Sequence, residues 1–176
     1  MIYSVSNPRL EDLNPSQPWA DAEFEERLKF KGQVGPQRAE AWKLRPEVWT
    51  EFAKDFSYTY GERYQYSLWQ IIEELKVHPD SRQLFMSVWN VMLDSYKFGR
   101  RRVPCSLGYW FANRDGKLMI TYLQRSADMV THLENDQYLS HKLQHHIAKE
   151  AGLEVGRFTH WIGSLHAYRK DLADIF

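Results

Sequence analysis

Val103-Pro104-Cys105-Ser106, then Gln124-Arg125-Ser126-Ala127-Asp128, then Gly163-Ser164-Leu165-His166-Ala167-Tyr168 are the three pieces on which this chain turns. Asp115-Gly116 lies between the first two. Glycine supplies the positive φ that a two-residue hairpin turn needs, so Ser106 to Ala112 and Lys117 to Leu123 are predicted as paired strands. Cys105 is the only cysteine. A lone cysteine is ordinarily a small core hydrophobe, and it turns nucleophilic when cations or helix ends favour its thiolate. Arg100, Arg101 and Arg102 precede it, and Arg125 is a fourth candidate cation; the alternative for the arginine run is a solvated loop. Arg125 and Ser126 at a strand end suit a phosphate, through charge-assisted hydrogen bonds. The alternative is a surface salt bridge to Asp128. His166 and Tyr168, two apart in an extended chain, face the same way and suit a sugar hydroxyl; the alternative is an aromatic packing face.

Outward from these pieces, strands and helices mix. Residues 1 to 19 carry Pro8, Pro15 and Pro18 and read as an irregular lead-in. Ala20 to Lys31 reads as a charged helix ended by Gly32, and Gly35-Pro36 as a loop. Pro46 suits the first position of a short helix with Val48, Trp49, Phe52 and Ala53 on one face. Tyr58 to Tyr64 reads as a loop around Gly61. A stronger helix follows with Leu68, Trp69, Ile72 and Leu75 as its buried stripe, stopped by His78-Pro79. Gln83 to Trp89 is a predicted strand with Leu84, Met86 and Val88 on one face, and Val91 to Arg102 a loop. Asp136 to Ala151 is a predicted helix closed by Gly152. Arg157 to Ile162 is a predicted strand, and Tyr168 to Phe176 a last helix.

The 176 residues suit one domain, 1–176, and 15% aromatics with seven tryptophans give ample apolar bulk for a core. Twenty-three basic residues balance twenty-three acidic ones, which argues against a nucleic-acid grip built on bulk charge. A single cysteine excludes an internal disulfide and suits a reducing compartment. No charged leader, apolar span or repeat is read, so a cytoplasmic protein without a membrane partner is expected. No metal site is expected.

Pro104-Cys105, Gln124-Arg125-Ser126-Ala127-Asp128, Gly152-Leu153-Glu154-Val155-Gly156-Arg157-Phe158 and Gly163 with His166 and Tyr168 together resemble the motifs of the thymidylate synthase superfamily. So do Pro79-Asp80-Ser81-Arg82, Trp89-Asn90, Tyr60-Gly61 and Trp49. The similarity runs in order from about residue 46 to 171. It implies an α+β fold, a mixed β-sheet packed with helices and shortened at both termini. It implies Cys105 as the nucleophile that adds to carbon 6 of a pyrimidine, with Tyr60 in the catalytic group. Arg125 and Ser126 would hold the phosphate, and Arg82 would reach the phosphate of a partner subunit in a homodimer with shared active sites. His166 and Tyr168 would hold the deoxyribose hydroxyl. Asp128 would serve catalysis and, with Trp49, the cosubstrate 5,10-methylenetetrahydrofolate. Glu26 matches the glutamate that organises water and protons.

The departures narrow the reading. Thymidylate synthases have an asparagine, reading the uracil amide edge, where this chain has Asp136 in Leu133-Glu134-Asn135-Asp136. A carboxylate only accepts unless protonated, which suits the amine of cytosine and penalises uracil. The alternative for Asp136 is a helix N-cap. Asn135-Asp136 and Gly163-Ser164-Leu165-His166 resemble the deoxycytidylate hydroxymethylases of T-even phages, and Ser106 replaces the histidine that usually follows the nucleophile. The family's first strand has no expected counterpart, Gln83 replaces a second arginine, and the segment that closes over folate is not expected. The expected function is hydroxymethyl transfer to dCMP, phage-encoded for modified DNA and located in the host cytoplasm. The alternatives are a thymidylate synthase or dUMP hydroxymethylase, and a non-catalytic nucleotide-binding subunit or regulator.

Overall fold

The computed structural model describes residues 1–29, 40–46, 58–64, 67–95 and 103–172. Five strands form one sheet: β1 (Ile2–Val5), β2 (Phe85–Ser87), β3 (Ser106–Arg114), β4 (Lys117–Asp128) and β5 (Glu154–His166), in the spatial order β1-β5-β4-β3-β2. All pairs are antiparallel except β4 with β5, which is parallel. A parallel neighbour needs a crossover. It is supplied by the longest helix, which lies on the sheet with Leu143 and Ile147 fully buried. The architecture is the expected α+β one.

Helices wholly within the described residues are α1 (Trp19–Lys29), α2 (Tyr60–Tyr64), α3 (Leu68–Val77), α4 (Val91–Asp94) and the crossover helix α5 (Leu133–Ala151). Short 3-10 turns lie at Leu10–Asp12, Glu40–Leu44 and Arg169–Asp171. Among the described residues no helix is long and apolar enough to cross a membrane.

The hairpin turn is as expected: Asp115 and Gly116 take φ of 53° and 77°. Gly152 closes α5 in the left-handed region at φ 70°. Gly156 answers a different demand. A Cβ there would stand 2.8 Å from the Leu118 carbonyl oxygen, where the β4–β5 register slips. The buried Gln144 side chain donates to the carbonyls of Leu118 (2.8 Å) and Gly156 (3.2 Å), satisfying acceptors at that slip.

Several expectations are corrected. The lead-in is not irregular: Ile2–Val5 pairs with β5, so a first strand exists. Tyr58 to Tyr64 is not a loop, because Tyr60–Tyr64 is helical, with the Thr59 hydroxyl and the Glu62 carboxylate exchanging bonds with each other's backbone N–H in a capping box. Asn90 caps a short helix at Val91–Asp94 by accepting from the Met92 and Leu93 N–H groups, where a loop was expected. Trp69 is exposed, and Ile71 takes its place in the buried stripe of α3. Strand β2 is shorter than expected, and β4 and β5 longer. The last described turn is a 3-10 helix rather than an α-helix. Pro46 is helical, while Trp49 and the rest of its predicted helix lie outside the described residues, as do Gly32, Gly35-Pro36 and Arg100 to Arg102.

Cross-strand pairing lays one row of rings across the core face. Tyr3 pairs with His160, His160 with Tyr122, Tyr122 with Tyr109, and Tyr109 with Met86. Ring centroids are 4.5 Å apart for Tyr109–Tyr122 and for Tyr122–His160. The opposite face carries Phe85, Trp161 and Ile2, all exposed.

Candidate active site

Cys105 is partly buried in the bend before β3. Its carbonyl accepts the Arg125 N–H at 2.8 Å. The Arg125 guanidinium folds back over the same bend, donating through Nε to the Pro104 carbonyl (3.0 Å) and through Nη2 to that of Val103 (3.4 Å). These described bonds use part of a five-donor fork, whose planar geometry suits an anion at any donor left over. The Ser106 N–H donates to the Tyr60 hydroxyl at 3.3 Å, so α2 brings Tyr60 to the residue that follows Cys105. Burial first, then the neighbouring Cys105, pushes the Tyr60 phenol well above its ordinary range, so its oxygen keeps its proton.

Adjacent strand residues point to opposite faces. The structure therefore separates Arg125 from Ser126: the former goes to the Cys105 bend, and the Ser126 hydroxyl lies 3.4 Å from His166 Nδ1. Parallel pairing sets Ser126 opposite Ser164 and Asp128 opposite His166. The His166 and Tyr168 rings meet edge to face at 5.3 Å, as their spacing led one to expect.

Asp128 ends β4. Its Oδ1 accepts the N–H groups of Val130 (3.1 Å) and Thr131 (3.4 Å), which turns the chain into α5. Asp136 is not the N-cap of that helix. The helix starts three residues earlier, after His132, and the Asp136 N–H already donates to the His132 carbonyl. Its carboxylate instead accepts from Gln124 Nε2 at 2.6 Å. Neighbouring Asn135 is committed elsewhere, accepting from the Ser16 N–H and donating to the Thr131 carbonyl. Of the Asn135-Asp136 pair, only Asp136 turns toward Gln124. Burial raises its pKa to about 6, against the lowering effects of the Gln124 bond and Arg27 and with a smaller push from Asp128.

Glu26 accepts the Ala41 N–H at 2.9 Å and ties α1 to the Glu40–Leu44 turn; no described hydrogen bond links it to the Cys105 group. Burial, the largest influence, raises its pKa. Arg82 is exposed on the loop before β2, where its carbonyl accepts from Trp110 Nε1. Trp110 is five residues along β3 from Cys105, roughly 16 Å at strand rise. The same chain therefore does not bring Arg82 to Cys105.

Sequence reasoning missed four residues. Gln124 does more than its place in the Gln-Arg-Ser motif implies. Its Oε1 lies 2.8 Å from His160 Nε2, and His160 Nδ1 lies 2.8 Å from the Tyr3 hydroxyl. Arg27 lies under the Tyr60 ring, 4.9 Å from its centroid, in a buried pair with Glu23 at 2.8 Å. Polar Gln124 and His160 in core-facing slots of strands were the available signal.

The residues present fit a folate-type donor at Asp128. With Oδ1 committed to backbone, Oδ2 remains for a ring N–H, and exposed Met129 and Val130 adjoin it as apolar surface.

A family model described as thymidylate synthase matches residues 11–175, so the chain belongs to the thymidylate synthase family. Membership identifies it as a folate-dependent one-carbon transferase acting on a pyrimidine nucleotide.

Proposed function

We propose that this thymidylate synthase family member transfers a hydroxymethyl group to carbon 5 of dCMP through a covalent Cys105 adduct. The observation that carries the reading is Asp136. It is an aspartate, it is the residue of its pair that faces Gln124, and its pKa of about 6 lets it hold or release a proton near neutral pH. Cytosine offers an amine donor and an unprotonated ring nitrogen, which a carboxyl group able to accept and donate matches.

In this reading the Cys105 sulfur bonds to carbon 6, and the displaced electron pair makes carbon 5 nucleophilic. Asp136 holds the proton shared with the ring nitrogen as charge builds there. Bound methylenetetrahydrofolate supplies the one-carbon unit at the oxidation level of formaldehyde. Tyr60, whose hydroxyl accepts the Ser106 N–H, would bond the water that takes the proton leaving carbon 5. Once the transferred carbon has parted from the folate nitrogen, water adding to it would give hydroxymethyl, whereas hydride would give methyl; loss of the Cys105 thiolate from carbon 6 would then restore the double bond.

Arg125, Ser126, His166 and Tyr168 hold the phosphate and sugar in this reading, and Asp128 the folate. The apolar outer sheet face with Phe85, Trp161 and Ile2 exposed supports a homodimer. Arg82 lies at the edge of that face, where it would reach a partner's phosphate.

The test is the product mass after incubation with methylenetetrahydrofolate and either dCMP or dUMP. A hydroxymethyl gain on dCMP alone is expected; a methyl or hydroxymethyl gain on dUMP overturns the cytosine reading. Cys105→Ser should cut turnover by roughly 10⁴-fold or more while nucleotide binding persists. Turnover that survives removes Cys105 as the nucleophile.

A further inference from the structure

We propose that His160 and Tyr3 are positioning residues that fix which pyrimidine Asp136 accepts, by fixing which of its two oxygens can carry a proton. The proposal rests on the reading of Asp136 as the group that meets the base.

The argument is one of hydrogen-bond direction. Gln137 Nε2 donates to the Tyr3 oxygen at 2.5 Å, which leaves the Tyr3 proton for His160 Nδ1, 2.8 Å away. Nδ1 is then bare, so the imidazole proton is on Nε2 and donates to Gln124 Oε1 at 2.8 Å. Gln124 must in turn present its NH₂ group to Asp136 Oδ2, at 2.6 Å. Every link donates toward Asp136. Gln124 and His160 are almost fully buried, so neither has water as an alternative partner.

Oδ2 is thereby held as an acceptor, and a proton on Asp136 goes to Oδ1. The carboxyl group shows one acceptor and one donor in fixed order. Cytosine presents a donor beside an acceptor, and uracil presents an acceptor beside a donor. A carboxyl group free to move its proton would serve both, whereas one with a fixed order serves one. Reversing the histidine tautomer reverses the order. With the proton on Nδ1, Gln124 would turn its NH₂ to His160 and its carbonyl to Asp136, and Oδ2 would have to carry the proton.

The groups facing this chain leave Tyr3 as the lock. His160 is flanked by the Tyr122 and Phe158 rings, with His141 the nearest titratable group on α5. Asp136 faces Arg27 from α1 and Asp128 from β4. None of these bonds His160 Nδ1. Tyr3 does, from an edge strand outside the Cys105 cluster.

The experiment uses the full chain and measures dCMP and dUMP binding by calorimetry, with no folate present. Tyr3→Phe keeps the ring in its row and removes one hydroxyl. The ratio of dCMP to dUMP affinity should fall roughly fivefold, the worth of about one hydrogen bond. The nitrogen-15 spectrum, with His160 assigned by its loss in His160→Leu, should change from the Nε2–H tautomer to a mixture. An unchanged ratio in Tyr3→Phe, with or without equal weakening of both nucleotides, beside a shifted ratio in Asp136→Asn overturns the proposal and leaves Asp136 as the base reader. An unchanged ratio in both variants removes Asp136 from that role and the proposal with it.

Discussion

The two ends of the ring row Tyr3–His160–Tyr122–Tyr109 carry polar networks built on opposite terms. At the Tyr109 end the network is charged. Arg27 donates to Glu23 (2.8 Å) and to the Tyr64 hydroxyl (3.3 Å), Trp42 donates to Glu23 (3.0 Å), and Tyr64 donates to Tyr109 (3.1 Å). At the Tyr3 end every group is neutral until Asp136 is reached. An ion pair fixes charge and position, and α1, the Glu40–Leu44 turn and α2 all gather around this one. A chain of neutral donors fixes a direction, and a direction can be handed to a base. Charge does the holding, and in the proposed reading of Asp136 neutral hydrogen bonds do the selecting.

The largest break in this comparison is Arg27→Met. It leaves Glu23 buried without its guanidinium, and removing one partner of a buried pair costs about 3–5 kcal/mol. Both side chains are 8% exposed, so solvent offers little relief. Neighbouring Tyr64 and Glu23 hold the Arg27 guanidinium above its ordinary pKa although burial opposes this, so the cation persists at any working pH. Denaturant unfolding should show the loss, and adding Glu23→Gln should recover most of it. A single variant as stable as the parent would show that the pair does not hold α1 to the core. Tyr3→Phe, at the other end of the row, should change nucleotide preference and cost less in unfolding, about 1 kcal/mol for the hydrogen bond lost at His160.

This contrast also explains what was legible in the sequence. The hairpin at Asp115-Gly116, the cap at Gly152 and the alternation of Leu84, Met86 and Val88 are local rules, and the structure follows them. So is the spacing that sets His166 beside Tyr168. Tyr3, His160 and Gln124 lie on three strands and meet only through the β1–β5–β4 pairing. The prolines at 8, 15 and 18 signalled irregular chain, but they follow Ile2–Val5 and leave that strand intact. Arg27 on a charged helix resembled a solvated residue until the fold supplied Tyr60, Tyr64 and Tyr109 around it. The Asp136 cap failed for a local reason: the helix began early because Asp128 had already turned the chain.

Acid separates the two networks further, with a smaller effect. Burial depresses the His160 pKa to about 3, with His141 adding to it, and the His141 pKa to about 4, with His145 adding to it. A depressed histidine contributes stability that is full above its ordinary pKa of about 6.5 and is lost as pH falls toward the folded value. Asp136 has the opposite sign. Its raised pKa contributes most at low pH, and that contribution is lost as pH rises through about 6. The histidine shifts are larger, so the melting temperature should fall steadily from about pH 6.5 to pH 4. A melting temperature that is flat or rises over that range would mean that the Tyr3 end is not kept neutral by burial.

The smallest effect sharpens the same point. Among the described residues, neither buried His141 ring nitrogen has a hydrogen-bond partner, and the ring meets Phe158 edge to face at 4.5 Å. An unpartnered buried polar group is a cost, so His141→Leu should change stability at pH 7 by less than about 1 kcal/mol, in either direction. Its informative reading is the acid limb. The substitution removes one depressed histidine and also relieves His160 of the charge that His141 would acquire. The fall in melting temperature below pH 6 should become shallower, while the dCMP to dUMP ratio stays where it was. If the ratio moves with the acid limb, His141 belongs to the reading chain. The boundary between holding and reading would then lie on α5 rather than at His160.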